Sequence, residues 1–254
     1  MGGVKTEEKK QHFDDIYVAP NPVPYKERIL DELQYVSDDF NRATFDRLVL
    51  PWATELGKTK QINFCDLCGC FGNTTMATLY GMSYDAIRNN WSNDDKCKTI
   101  SGQRRFDSRT TAIDISEPAM AYGKTVGLYD DAIVCDLNAP GPDAKAKLTK
   151  AVSEADILIC TAALVYLDPD TIEYLLDAFC SNETEGYVLV NFLNPFALEK
   201  ADETKRLLLN KLDFVGSTAS RHRKLSPLER GNYPDEEWSL LEIWVLKRHA
   251  QVED

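Results

Sequence analysis

Five short apolar runs, each bounded by turn residues and separated from the next by a helical pattern, narrow the folds open to this chain. They are QINFCDL (61–67), TTAIDI (110–115), DAIVCDL (131–137), ADILICTAAL (155–164) and GYVLVNFL (186–193). Runs this short and this apolar describe strands of a parallel sheet covered by helices on both faces. The segments between them supply those helices. GNTTMATLYG (72–81) starts near Asn73 or Thr74, PAMAYGKTVGL opens on Glu117-Pro118, and DPDTIEYLLDAF has an Asp-Pro start. The rhythm breaks at the end. LDFVGSTASRHRKL and EEWSLLEIWVLKR (236–248) follow one another with no helical pattern between them. A hairpin there would set an antiparallel strand into an otherwise parallel sheet.

The chain has 254 residues, 43% of them hydrophobic, which suits one substantial core rather than two domains. Residues 1–12 are polar, charged and without period, and read as a disordered tail. From 13 to 57 the pattern is a helical cap. It enters through the extended APNPVPY and continues with Ile29, Leu30, Leu33 and Val36, then Phe45, Leu48 and Leu50. Residues 13–254 are expected to form a single domain, and the stretch 81–107 reads as an insert that walls or covers the site.

Net charge is −12, from 41 acidic and 29 basic residues, with no basic stripe of the kind a nucleic-acid binder needs. The densest basic cluster, RHRK at 221–224, reads as a solvated loop, and His12 and His222 as surface groups rather than bases. No segment resembles a signal peptide or reaches the roughly 18–20 apolar residues of a membrane span. An odd count of seven cysteines then points to reduced thiols in the cytoplasm. Cys65-x-x-Cys68 invites a zinc or redox reading, but a second Cys/His pair at ligand spacing is missing. Cys65 and Cys135 lie in strand patterns, where cysteine behaves as a small hydrophobe, so no metal is expected.

Polar residues close the strands at regular intervals: Asp66, Asp114, Asp136, Thr161 and Asn191. Ligands of open parallel sheets collect at those ends. An acidic residue after the second strand can accept both hydroxyls of a ribose, and a glycine turn after the first lets the chain approach an anion closely. Asp66 and Asp114 are 48 positions apart, against about 20 for a dinucleotide fingerprint, which argues against a nicotinamide enzyme. The ordered set resembles the class I S-adenosylmethionine-dependent methyltransferases. In DLCGCFG, Asp66 and Gly72 fit their first motif, while Cys68 and Cys70 replace two glycines and Gly69 is displaced between them. Asp114 in TAIDIS matches the second motif, Asp136-Leu137 the third and TAALVYL the fourth. The likeness is closer to a subgroup with a Cys-Ser-Tyr-Gly loop and segments like IYVAPNPVPY and EPAMAYGKTVGLYDDAI. It covers roughly residues 13–200.

That resemblance implies a Rossmann-like α/β fold, a mostly parallel seven-stranded sheet with an antiparallel C-terminal strand and an N-terminal helical cap. It implies S-adenosyl-L-methionine as cosubstrate or sole substrate. The expected cofactor-binding residues are Tyr17, Tyr25, Asp66, Cys68, Gly69, Gly72, Asn73, Asp114, Ile115, Asp136, Leu137 and Thr161, with Tyr166, Tyr25 and Asn191 near the chemistry. Alternatives stand beside several of these. Asp114 also fits a helix cap with Glu117, Asp136 fits turn chemistry, and Asp66 fits a role in orienting the loop. Asn194 is a further polar candidate, or a cap before Pro195. The expected activity is methyl transfer to a small molecule of specialised metabolism, with no nucleic-acid or membrane partner and the oligomeric state open. The alternative is cyclisation of S-adenosylmethionine itself, giving azetidine-2-carboxylate and methylthioadenosine, as some members of the subgroup do.

Overall fold

A computed structural model describes residue 11, residues 13–196 and residues 198–248. The tail reading for 1–12, Gln11 excepted, and the histidines His12 and His249 lie outside them. Short helical turns α1 (Asp14–Tyr17) and α2 (Val23–Tyr25) run into a π-helical segment, Lys26–Glu32, then α3 (Ser37–Leu48) and α4 (Leu50–Leu56). The alternation follows: β1 (Ile62–Leu67), α5 (Asn73–Tyr80), α6 (Tyr84–Asn90), β2 (Ser108–Asp114), α7 (Glu117–Thr125), β3 (Asp131–Val134), α8 (Pro142–Ser153), β4 (Ile157–Cys160) and α9 (Pro169–Cys180). The chain closes with β5 (Gly186–Asn194), α10 (Leu198–Lys211), β6 (Asp213–Lys224), α11 (Pro227–Asn232) and β7 (Trp238–Arg248).

The strands form one sheet in the order β3-β2-β1-β4-β5-β7-β6. Every pairing up to β5 is parallel, and β7 is antiparallel to both β5 and β6. This is a Rossmann-like α/β fold, and the strand order reverses direction between β1 and β4, where such sheets bind ligands. Alternate residues of the central strands feed opposite layers, as a pleat of period two requires. Ile62, Phe64, Ile157, Ile159 and Leu189 pack with Phe45, Val49 and Ala53 of α3 and α4. Cys65, Leu67, Leu158, Cys160 and Val188 pack with Leu148, Val152, Leu175 and Phe179 of α8 and α9.

Two boundaries differ from the sequence pattern for local reasons. The third strand stops at Val134 because Asp136 turns the chain, its carboxylate accepting from the Asn138 N–H at 2.9 Å. The fourth stops at Cys160, since Ala162 has a φ of 56°. The last two strands are not joined by a plain loop. Helix α11 lies between them, opened by a capping box in which Ser226 and Glu229 exchange hydrogen bonds. The RHRK cluster is not a solvated loop either, because it forms the end of β6. Arg221 pairs with Leu240 and Arg223 with Ser239, so His222 is the extra residue of a bulge. That bulge buries two consecutive residues, His222 and Arg223.

Residues 13–35 and the insert share a third cluster. Tyr25 packs edge-on against Trp91 with ring centroids 6.0 Å apart. Arg88 holds Asp31 at 2.6 Å, and the Tyr84 hydroxyl donates to the Leu30 carbonyl.

Gly72 caps the start of α5 at a φ of 87°, and an added Cβ would sit 2.1 Å from Leu128 Cδ2 and 2.7 Å from the Tyr129 hydroxyl. Gly127 shares the left-handed backbone, φ 72°, with nothing within 4 Å. Gly72→Ala should therefore cost about 2–4 kcal/mol, combining backbone strain with overpacking, and Gly127→Ala only about 1 kcal/mol. Urea unfolding of the two variants checks this, and equal losses would show that packing at Gly72 contributes nothing.

Candidate functional site

The carboxyl ends of β1, β2 and β4 open into a cavity of about 630 Å3, closed on its far side by residues 13–35 and by the end of β6. Its central polar group is Asp114, at the tip of β2. One carboxylate oxygen accepts from the Cys70 N–H at 2.9 Å and the other from the Ser116 N–H at 2.8 Å. Each oxygen keeps a lone pair for a further donor. Ser116 itself caps α7, and its hydroxyl also donates to the Tyr17 carbonyl, tying the N-terminal segment to the sheet. The capping role considered for Asp114 therefore falls to Ser116.

Besides the Asp114 contact to Cys70, two further hydrogen bonds hold the turn after β1. The Cys68 N–H donates to the Ile113 carbonyl at 2.7 Å, and the Tyr129 hydroxyl donates to the Gly69 carbonyl at 3.0 Å. Within this frame Cys68 and Cys70 adopt φ values of 56° and 48°. The backbone thus keeps a glycine-like left-handed conformation at both positions while carrying thiol side chains, at a cost of roughly 1–2 kcal/mol per residue. Both thiols are held above the usual range, Cys70 chiefly by burial and Cys68 chiefly by its hydrogen bond with the Cys160 thiol. Cys65 lies buried in the α8–α9 layer. Among the described residues no three His, Cys, Asp or Glu side chains gather as a metal site would.

Below the turn, Asp66 is buried and accepts from the Thr75 hydroxyl at 2.6 Å. Asp38 of α3 is also buried. It takes the Asn73 amide at 2.8 Å and the Thr74 hydroxyl at 3.1 Å. Since Thr74 gives its proton to Asp38, the Thr161 hydroxyl, 2.7 Å away, is the donor of that second contact. Tyr17, Tyr25 and Tyr35 form the aromatic wall, the first two with centroids 6.0 Å apart, and burial holds all three phenols well above the usual range.

Most residues singled out from sequence meet around this cavity. Asp66, Cys68, Gly69, Asn73, Asp114 and Thr161 line its floor, with Tyr17 and Tyr25 opposite. Ile115, 69% exposed, stands at the edge with Asp136, Leu137 and Tyr166. Two residues do not reach it. Gly72 lies behind the turn, packed on Leu128 and Tyr129. Asn191 is buried beneath the floor, accepting from the Ala162 N–H at 3.1 Å and donating to Asn41 at 3.1 Å. Asn194 and residues 81–107 also contribute nothing to the lining; the insert braces residues 25–31 from behind.

Sequence reasoning passed over Tyr35, Asn138, Arg223 and, most clearly, His222. The His222 ring is buried in the cavity wall, 4.8 Å from the Tyr35 ring, and is not a surface group. The one sequence signal nearby was the Ser226-x-x-Glu229 capping pattern. Glu229 pairs with Arg223 through two contacts of 2.7 Å and so anchors this corner.

Burial raises the Asp66 carboxyl from 3.8 to about 7, opposed by the Thr75 hydrogen bond and reinforced by the charges of Asp114 and Asp38, and burial raises Asp38 to about 6. Between the unfolded and folded values the native state binds more protons, so stability is present at low pH and is lost as pH rises through about 6 to 7. The melting temperature of the protein should accordingly fall between about pH 5 and about pH 8. Asp66→Asn, which keeps the Thr75 contact, should flatten the upper part of that fall. An unchanged slope in the variant would remove Asp66 as its source.

No family model matches this chain, and no curated protein matches it. Among solved structures it is similar to magnesium protoporphyrin IX methyltransferase from Synechocystis PCC 6803 with bound SAM (S-adenosylmethionine). That likeness has 13% identity over 82% of this chain and 79% of the other, with a TM-score of 0.44. It is also similar to geranyl diphosphate C-methyltransferase from Streptomyces coelicolor A3(2), in complex with Mg2+, geranyl diphosphate and S-adenosyl-L-homocysteine. There the identity is 12% over 78% of this chain and 79% of the other, with a TM-score of 0.43.

Proposed function

We propose that this chain is an S-adenosyl-L-methionine-dependent transferase that methylates a small molecule. The observation that carries the reading is the Asp114 carboxylate. It is fixed by two backbone N–H groups and faces the cavity beside the turn after β1. A rigid carboxylate with spare lone pairs is suited to accept both hydroxyls of the adenosine ribose. Asp136 and Leu137 then border the adenine, and the turn from Cys68 to Asn73 borders the amino-acid end. Charge supports the same assignment. The charges of Asp114 and Asp38 help to raise the Asp66 carboxyl, so a ligand bearing a sulfonium and an ammonium relieves that repulsion.

When bound, S-adenosylmethionine supplies an already activated methyl group. The chain contributes alignment and the exclusion of water. Tyr17 and Tyr25 are neutral phenols whose ring faces attract a sulfonium. Tyr166, 45% exposed at the mouth, is placed to meet the acceptor. The net charge of −12 favours a small acceptor over a polyanion.

Cyclisation of S-adenosylmethionine is the second reading. What favours it is the amino-acid end of the cavity, where Cys68 and Cys70 bring thiol side chains to left-handed positions of the turn, opposite Tyr17 and Tyr25. A turn so altered would suit a folded aminobutyrate chain, whose neutral amine gains the advantage of intramolecular attack.

Calorimetry with S-adenosylhomocysteine tests the shared premise. The wild type should bind one equivalent, and Asp114→Ala should bind roughly 10- to 100-fold more weakly, the loss of hydrogen bonds to a charged group. Identical affinity in the variant, or no binding at all, would refute it. Incubation with S-adenosylmethionine alone separates the two reactions. Methylthioadenosine released without an acceptor supports cyclisation, whereas S-adenosylhomocysteine appearing only when an acceptor fraction is added supports methyl transfer.

A further inference from the structure

The bulge that ends β6 brings an imidazole to the cavity, and neither reaction above has yet assigned it a role. We propose that His222 is the general base that removes the proton from the nucleophile attacking S-adenosylmethionine; the proposal rests on the cofactor reading of the preceding section.

Three observations on this corner carry it. The first is the backbone. Along most of β6 the residues alternate or are exposed, and only the extra residue of the bulge breaks that pattern so that His222 and Arg223 are both buried. Bulges are the device by which a sheet re-aims one side chain near a site.

The second is the hydrogen bonding of the ring. The Ser37 hydroxyl lies 2.6 Å from His222 Nδ1 and donates to the His222 carbonyl at 3.2 Å. Ser37 has one proton, and a carbonyl has none to give. The carbonyl also accepts from the Val36 N–H at 3.0 Å, so it does not by itself fix the direction of the ring contact. In the proposed tautomer Nδ1–H donates to Ser37 Oγ and Ser37 to the carbonyl, which makes Nε2 the basic nitrogen of the neutral ring.

The third is the electrostatic setting. The neighbouring guanidinium of Arg223 is neutralised by Glu229, so it does not by itself forbid a second cation here. The titratable and charged groups around this corner, besides Arg223 and Glu229, are Tyr35, Tyr17, Tyr166 and Asp14 on the cavity wall and Asp38 near Tyr35. None of them is a fixed unpaired cation.

The proton accounting is the same for either reaction. In methyl transfer the lone pair of an X–H nucleophile bonds to the methyl carbon while the C–S pair returns to sulfur. The X–H proton passes to Nε2, leaving S-adenosylhomocysteine and an imidazolium whose Nδ1–H stays on Ser37. In cyclisation the substrate's own ammonium first gives one proton to Nε2. The freed amine attacks the carbon beside sulfur, and methylthioadenosine departs with the C–S electron pair.

The test uses the full chain and two variants. His222→Asn can keep an amide N–H toward Ser37 while removing the base, and His222→Ala leaves room for added imidazole. Wild type and variants are titrated with S-adenosylhomocysteine, then assayed with S-adenosylmethionine alone and with a small-metabolite fraction added. The expected result is affinity within about threefold of wild type, turnover down roughly 100-fold or more, and partial recovery of His222→Ala with millimolar imidazole. Variants that retain turnover within about threefold overturn the proposal. So does turnover that falls only because S-adenosylhomocysteine affinity falls with it, or a wild type that binds yet releases neither product in either mixture. A wild type that fails to bind S-adenosylhomocysteine overturns the cofactor reading itself, and the base with it.

Discussion

The carboxylate of Asp114 is the contact on which the site's shape depends. It reaches from the tip of β2 to the Cys70 N–H in the turn after β1, and to the Ser116 N–H at the start of α7. One anionic side chain thus joins two turns that carry different parts of the cavity floor. Hydrogen bonds to a charged acceptor are stronger than neutral ones, and the Tyr129 hydroxyl adds support from the opposite side through the carbonyls of Gly69 and Cys70. That framework explains how cysteines occupy left-handed positions that glycine normally takes. The strain is small beside the set of contacts that fixes the turn.

A second dependency links the N-terminal segment to the end of the sheet. The His222 carbonyl accepts from the Val36 N–H at 3.0 Å, and the Lys224 N–H donates to the Leu33 carbonyl at 2.7 Å. Residues 33–36 therefore extend the hydrogen bonding of β6, and the aromatic wall that precedes them is set by that pairing. The Arg223–Glu229 pair holds the same corner, buried on both sides. Such a pair adds little net stability against an apolar replacement. Here it fixes how the bulge, α11 and Gln11 meet, because Glu229 also accepts from the Gln11 and Ser226 N–H groups.

The cavity floor concentrates negative charge away from water, and this unites its parts. Asp38 grips the start of α5 from the cap side, Asp66 of β1 holds Thr75 of the same helix, and Asp114 clamps the turn between them. Each carboxyl is raised by burial rather than by a shortage of donors. The polar wiring therefore serves two ends at once: it orders the turn, and it leaves a field that favours a cationic ligand.

What the sequence by itself determined is what local period and strand ends carry. Apolar runs with polar closures marked five strands, and the residues closing them, Asp66, Asp114, Asp136 and Thr161, meet at one edge because parallel strands must end on the same side. Asn191 closes a strand equally well and yet lies under the floor, since whether a strand-end side chain faces the ligand or the sheet depends on the neighbours across it. Gly72 shows the same limit: its conformation was legible as a turn, but Leu128 and Tyr129, distant in sequence, decide that it is a packing contact. His222 was beyond reach for a sharper reason. A bulge shifts the period by one residue without any signature in a strand of alternating polar residues. Only the pairing of β6 with β7 and with residues 33–36 turns RHRK from a solvated patch into a buried corner of the site.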